Sequence, residues 1–318
     1  MAHVLVLGGT GFLGRNVCEA LVERSGAANG RIIVPSRRPA RAKALWTLPT
    51  VEVTRCDIHE DRALAQLLQG CDAVVNLVGI LHGSQAQFDA AHVELPRRLA
   101  AACTAVGVRR LVHISAIGAD VGAPSRYLRS KAHGEAALKG RELDVTVLRP
   151  SVMFGDGDHF LNLFAKLQGI FPVIPLAGAG AEFQPVWVDD VADAVVRCLN
   201  DRDTIGETIE CCGPEVYTLK ELVQLAGRCA GHPRPVVELP QALGRLQASV
   251  MECLPGEPLI SRDNLDSMRV RNVASGTLPG LQRLGIEPAS VQAVAPLYLG
   301  RGAIQARYDE WRAAVHRR

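Results

Sequence analysis

The sequence predicts an α/β fold: a doubly wound parallel sheet with a smaller, partly interleaved C-terminal lobe. Three observations predict it. An apolar run, a cluster of glycines and a stretch at helical spacing follow one another over residues 3–23. From there to residue 150, short apolar runs alternate with helical stretches, the rhythm of successive βαβ units. Past Gly155 that rhythm loosens, and Gly, Pro and Asp cluster at 155–158 and 172–185.

Composition narrows the class. With 318 residues the chain has room for one large domain or two interleaved ones. Hydrophobic residues make up 48% and charged residues 21%, and a net charge of +2 gives no reason to expect nucleic acid as a partner. The nine cysteines are odd in number and form no C-x-x-C pair, so they read as reduced side chains in a reducing cytosol. No His, Cys and carboxylate set has ligand spacing, and no metal site is expected. No apolar run reaches the length of a membrane span. The first apolar stretch lacks a basic leader and reads as a strand, not a signal peptide. The expected location is cytoplasmic, at most peripheral to the inner face of a membrane.

Taken in order, residues 3–7 form a strand buried on both faces. Gly8, Gly9, Gly11 and Gly14 follow, and residues 15–23 form a helix. The strand and helix on either side turn the glycine pattern into a dinucleotide-binding signature, that of a Rossmann sheet. The glycines allow a tight turn and close approach of a pyrophosphate, which the helix N-terminus faces with free N–H groups. Residues 31–34 are the second strand, ending at Ser36, Arg37 and Arg38. An NAD-binding fold places an acid here for the ribose 2′-hydroxyl. The arginines instead suit a 2′-phosphate, so NADP(H) is the expected cofactor; two solvated arginines opening a helix is the bland alternative. Residues 51–54 form the third strand. After it, Asp57 and Ile58 could hold and cover an adenine, or Asp57 could cap a helix over 61–69.

Residues 71–78 make the fourth strand, whose end brings Leu77, Val78 and Gly79 to the edge where ligands sit. A helix over 88–106 and a fifth strand over 109–114 lead to Ser115. A helix over 124–139 carries Tyr127 and Lys131, and a sixth strand over 144–148 leads into Pro150, Val152 and Met153. Beyond it we expect a strand over 184–188, helices over 189–199 and 219–230, and a strand over 206–211. Prolines at 233, 235, 240, 255 and 258 break up the rest. The expected division is a cofactor domain over 1–154, with 184–200 returning to it, and a smaller substrate or partner lobe over 155–183 and 201–318.

Ser115, Tyr127 and Lys131 are the candidate catalytic set. Tyr127 and Lys131 lie four apart on one helix face. An ammonium beside a phenol favours phenolate, which would lower the tyrosine pKa from about 10. Such a tyrosine exchanges a proton with an alcohol or carbonyl oxygen, while Ser115 donates a hydrogen bond to the same oxygen. His113 reads as a satisfied core histidine and His133 as an exposed one. The run Arg301–Arg318, with Tyr308 and Trp311, reads as a basic amphipathic helix that packs on the body or stays solvated, with docking on a partner or membrane surface as the alternative.

The loop GGTGFLG, Ser115 with YLRSK, and LRPSVMFG followed by VDDVADAV resemble the short-chain dehydrogenase/reductase superfamily in its extended and atypical branches. The fuller pattern HISAIGAD, SRYLRSKAHGE and LRPSVMFGDGDHFLN is similar to the family of the NADPH-binding alpha-subcomplex accessory subunit of mitochondrial respiratory complex I. The resemblance runs from about residue 3 to 220. It implies that Gly8, Thr10, Gly11, Phe12 and Leu13 hold the pyrophosphate, Arg37 and Arg38 the 2′-phosphate, and Asp57 the adenine. It implies that Val78 and Gly79 border the adenosine ribose, that Tyr127 is the acid/base and Lys131 grips the nicotinamide ribose, and that 150–153 meet the carboxamide. One departure stands out: His92 takes the place where the superfamily often has an asparagine that anchors a water leading to the lysine. Two functions follow as expectations. One is hydride exchange between NADP(H) and a small carbonyl or quinone-like compound. The other is a non-catalytic NADPH-binding module that stabilises or assembles a respiratory or quinone-pathway complex.

Overall fold

The computed structural model describes residues 3–25, 30–139, 142–254, 256 and 258–300. The expected C-terminal helix over 301–318 lies outside the described residues. The chain divides into two compact units. The first contains the chain up to Pro150, then Val188–Cys211 and Ala274–Glu287; the second contains Ser151–Trp187, Cys212–Val273 and the chain from Pro288 on.

The first unit is built on a sheet that has seven strands among the described residues. They are β1 His3–Leu7, β2 Arg31–Ser36, β3 Val51–Arg55, β4 Ala73–Asn76, β5 Arg110–Ile114, β6 Asp144–Pro150 and β7 Thr208–Cys211. Their spatial order is 3-2-1-4-5-6-7, and every pairing is parallel. The order reverses between β1 and β4, the switch point where doubly wound sheets bind ligands. All four residues of β4 are buried, as are four of the five in β1, which is why these strands are nearly pure aliphatic runs.

Helix α1, Phe12–Ser25, packs with α5, Val188–Asn200. Two more helices, α2 (Asp61–Leu68) and α4 (Arg126–Leu138), flank α3, a continuous helical run over residues 85–106. Leu64, Leu68, Leu99 and Leu138 from these helices meet Leu5, Leu7, Val74 and Leu111 of the sheet in one core. The run α3 starts earlier than its apolar pattern indicates, because Ser84 and Gln87 form a capping box ahead of the first buried side chain. It also contains a π-helical stretch, Ala90–Glu94.

Segment 201–211, expected in the smaller lobe, supplies β7 and belongs to the first unit, as does 274–287. The physical reason is the sheet edge: β7 pairs with β6, and Glu210 N–H donates to Pro279 O at 2.8 Å. The return to this unit begins at Val188, because 184–188 keeps only a two-residue strand, Val186–Trp187, paired with Met153–Phe154 in the second unit.

In the second unit, helices Leu161–Ile170, Leu219–Cys229 and Val291–Leu299 enclose Phe154, Leu222, Leu225 and Ala295. Thr218 caps its helix through a capping box with Glu221. A short parallel ladder joins Ile174–Ala177 to Val236–Leu239, and helices Gln241–Glu252 and Arg262–Ser267 complete the unit.

Candidate functional site

The four glycines after β1 divide the work. Gly8 sits at φ +81°, and a Cβ there would lie 3.2 Å from the Leu77 carbonyl carbon and the Val78 nitrogen. A Cβ on Gly14 would lie 2.3 Å from Gly8 O, and one on Gly9 would lie 2.8 Å from a Val34 methyl. These three let the turn pack against β2, β4 and its own helix. Gly11 differs: it is exposed, and its Cβ would meet only Gly8 O, at 3.2 Å. Thr10, Phe12 and Leu13 surround that open position at the start of α1, whose first turn carries no acid. A phosphate fits such a cradle, with unpaired helix N–H groups to meet it.

At the end of β2, Ser36 Oγ accepts a hydrogen bond from Arg38 N–H at 3.2 Å. Arg37 and Arg38 are exposed, and among the described residues neither is in an ion pair. Arg37, Thr54, Asp57 and Glu60 help line a groove of about 790 Å³. Asp57 Oδ1 accepts from His59 N–H at 3.0 Å and does not cap α2; the cap position is Glu60, with no side-chain bond. Ile58 packs on the core below.

Ser115 lies just past β5, its N–H donating to Leu148 O at 2.7 Å. Its Oγ is buried and has no partner among the described residues. Lys131 is buried on α4, and its Nζ donates to Ile114 O at 3.1 Å. A Cβ on Gly79 would lie 3.1 Å from that Nζ, so the β4 exit and the ammonium face each other. Burial lowers the Lys131 pKa to about 8, a fall that Glu135 opposes. Glu135 is in turn held by Arg149 through two hydrogen bonds of 2.8 and 2.7 Å. A buried cation bonded to the end of β5, with an orphaned buried hydroxyl on the next residue, suits the ribose and nicotinamide end of a dinucleotide.

Tyr127 departs from expectation. Its ring packs edge-on against His92, with centroids 5.6 Å apart, and against Phe88 at 6.2 Å. Burial pushes the phenol up to about 12, whereas a neighbouring ammonium was expected to push it down. Pro150 ends β6, and its carbonyl accepts from Ile117 N–H at 3.0 Å. Val152 and Met153 open the second unit, where Val152 N–H donates to Asn272 Oδ1 at 2.8 Å.

Sequence reasoning missed Asn272 and Asn76, read His113 as satisfied, and flagged His92 without its partners. Asn272 also accepts from Ser151 Oγ at 2.6 Å, so it clamps segment 151–152 from far along the chain. Asn76 Nδ2 donates to His113 Nδ1 at 3.1 Å, which leaves His113 Nε2 without a partner among the described residues; His113 is only half satisfied. His92 is buried and bonded at both ring nitrogens. Polar residues inside helical or strand periodicity were the available signal for all but Asn272. His133 is exposed.

Among the described residues no cluster of His, Cys, Asp or Glu could hold a metal. No helix among them is long and apolar enough to cross a membrane. A reversed-order parallel sheet, a glycine turn at its switch point and a strand end, just before a serine, bonded by the lysine of a Tyr-x-x-x-Lys helix define a nicotinamide-dinucleotide-binding protein of the short-chain dehydrogenase/reductase type. The profile of the NAD dependent epimerase/dehydratase family matches residues 4–212, and the chain belongs to that family. It is 30% identical over 294 residues to NADH dehydrogenase (ubiquinone) 1 alpha subcomplex subunit 9, mitochondrial, of Mus musculus, covering 90% of this chain and 77% of that protein. It is 27% identical to a ceramide reductase of Caulobacter vibrioides over 241 residues, 74% of this chain and 73% of the relative. In fold it is similar to an NADPH-dependent quinone oxidoreductase of Escherichia coli crystallised with NADPH. That TM-score is 0.72 at 20% identity, covering 92% of this chain and 98% of the other.

Proposed function

We propose that this chain binds NADP(H) in preference to NAD(H) and reduces a small carbonyl or quinone-like compound, with Tyr127 as the proton donor. The observation that carries the reading is that the strand end bearing the orphaned, buried Ser115 hydroxyl is bonded at Ile114 O by the Lys131 ammonium, which faces Gly79 past the end of β4. At the other end of the same sheet edge, Arg37 and Arg38 take the 2′-phosphate and Asp57 with Ile58 the adenine. Gly8, Thr10, Gly11, Phe12 and Leu13 cradle the pyrophosphate, Leu77 and Val78 border the ribose, and Pro150, Val152 and Met153 meet the carboxamide.

When bound, the reduced nicotinamide supplies the hydride that a carbonyl carbon receives. The residues supply the rest. Lys131 orients the ribose through its hydroxyls, and Ser115 donates a hydrogen bond to the substrate oxygen. A phenol held at about 12 stays protonated at neutral pH, the state a proton donor for carbonyl reduction requires. The basic run 301–318 is the proposed contact to a partner or a cytoplasmic membrane face.

The second reading is a non-catalytic NADPH-binding module in a respiratory or quinone-pathway assembly. It is favoured by the Tyr127 environment, where Phe88 and His92 pack the ring and burial pushes the phenol up to about 12. Stopped-flow absorbance of bound NADPH against a panel of carbonyls and quinones separates the two. The first reading expects oxidation that slows by about 10²–10⁴-fold in Tyr127→Phe, with NADPH affinity little changed. Undiminished oxidation in that variant removes the acid/base role. No oxidation of bound NADPH by any compound supports the module.

A further inference from the structure

We propose that His92 is a positioning residue that ties the β4 exit loop to the Tyr127–Lys131 turn of α4 and relays no proton; this rests on the reading of that turn as the nicotinamide end of the site. A neutral imidazole has one donor and one acceptor. Ile80 N–H points at His92 Nε2 at 3.0 Å, so that nitrogen must accept. The ring proton therefore sits on Nδ1 and is donated to Ser130 Oγ at 2.8 Å. Ser130 has a single proton, which it gives to Tyr127 O at 2.7 Å. Every hydrogen in the chain is committed in one direction.

A second proton on the ring would have to sit on Nε2, donor facing donor against Ile80 N–H. The groups packed around the ring oppose it too. Lys131 is cationic, His113 is neutral and already accepts from Asn76, and the remaining neighbours are the rings of Phe88 and Tyr127. Burial and the Lys131 charge lower the His92 pKa to about 2. A histidine that cannot change charge in the working range is a strut.

The backbone makes the same point. The π-helical stretch Ala90–Glu94 turns the His92 carbonyl onto α4, where a Cβ on Gly134 would lie 2.0 Å from that oxygen. Ring and carbonyl thus both dock on the helix that carries Lys131. The loop between β4 and α3 is threaded through a narrow gap: a Cβ on Gly79 would lie 3.1 Å from Lys131 Nζ and 3.5 Å from His92 Nε2. By holding Ile80, His92 fixes how far the loop stands from the ammonium.

Long-range proton–nitrogen correlation spectra of histidine-labelled protein test the tautomer without any cofactor. His92 should show a protonated Nδ1 and a bare Nε2, unchanged from two pH units below to two above the usual histidine value of about 6.5. A titrating ring, or a proton on Nε2, overturns the proposal. Affinity for NADPH supplies the second readout. His92→Asn keeps a group at the Nδ1 position only, and His92→Gln keeps one at the Nε2 position only. Each, like Ser130→Ala, should weaken NADPH by about tenfold, the worth of one hydrogen bond. If these variants fold and bind NADPH as wild type does, the clamp is wrong. If wild type itself binds no NADPH, the reading of the site falls, and the tautomer still decides the clamp.

Discussion

Two guanidiniums and one ammonium dominate the chemistry this chain offers a dinucleotide, and each makes a prediction. Arg37 and Arg38 stand where an NAD-specific fold has an acid, and neither is neutralised by an ion pair among the described residues. A charge-assisted hydrogen bond is worth about 1.5–3 kcal/mol, so NADPH should bind at least about tenfold tighter than NADH. Arg37→Ala should remove most of that ratio in calorimetric titrations while leaving NADH affinity as it was. Equal affinities in wild type would show that the arginines are only solvated.

Lys131 makes a prediction in pH. Its folded pKa, about 8, lies below its ordinary value of 10.5. Below about pH 8 the ammonium is present in both folded and unfolded chains, and its burial weakens the fold. Between about 8 and 10.5 the folded chain has lost the proton and the unfolded chain has not, so this penalty is relieved as pH rises. In the proposed site the ammonium grips a ribose, so cofactor binding runs the other way: affinity should decline as pH passes through about 8. Lys131→Met should therefore raise the melting temperature at neutral pH and bind NADPH weakly, with no decline near pH 8. A variant less stable than wild type at neutral pH would count against a burial penalty. Spacing on a helix put Tyr127 and Lys131 on one face, but it could not say what each side chain meets. Lys131 reaches for Ile114 O, while the Tyr127 ring lies against Phe88 and His92.

At the scale of elements, the glycine turn separates folding from binding. A Cβ on Gly14 would lie 2.3 Å from Gly8 O and 2.5 Å from Gly9 Cα, backbone that cannot move without unmaking the turn, whereas a Cβ on the exposed Gly11 would meet only Gly8 O, at 3.2 Å. Gly14→Ala should lower thermal stability even without cofactor. Gly11→Val should keep a near-wild-type melting curve and lose NADPH binding, because its branched side chain fills the phosphate position. A folded Gly11→Val that binds normally would move the pyrophosphate elsewhere. The β1–glycine–α1 segment was legible in the sequence because each part has its own strong signal: a doubly buried strand, glycines, then helical periodicity. The π-helical stretch was not legible. Apolar spacing through 88–106 reads as one regular helix, and the inserted turn shows only where the His92 carbonyl meets Gly134. Asn272 was hidden for another reason, since its bonds to Ser151 and Val152 join positions more than a hundred residues apart in a proline-broken stretch without periodicity.

The whole molecule is interleaved, and this bears on what a minimal cofactor-binding unit must contain. The family profile ends at residue 212, yet the first unit takes in Ala274–Glu287 as well. That segment covers the β7 edge of the sheet. Glu210 N–H donates to Pro279 O at 2.8 Å, and the Glu210 carboxylate accepts from Ser275 N–H at 2.7 Å. It also reaches α5, where Arg197 donates to Leu284 O at 2.6 Å, and it buries Leu281, Leu284 and Ile286. A chain ended after Cys212 would expose those contacts and leave an unpaired strand edge, so it should melt earlier and aggregate. Because truncation also removes most of the second unit, a point variant isolates the effect. Leu281→Ala, at a position 1% exposed, should cost about 2–5 kcal/mol, as large-to-small core changes do. The proposed NADPH site lies at the other strands of the same sheet, so saturating cofactor should recover part of the lost melting temperature by mass action. The check is a pair of melting curves for Leu281→Ala, with and without NADPH. A variant that melts with wild type would make 274–287 a passive strap, and the cofactor-binding unit would then end where the family profile does.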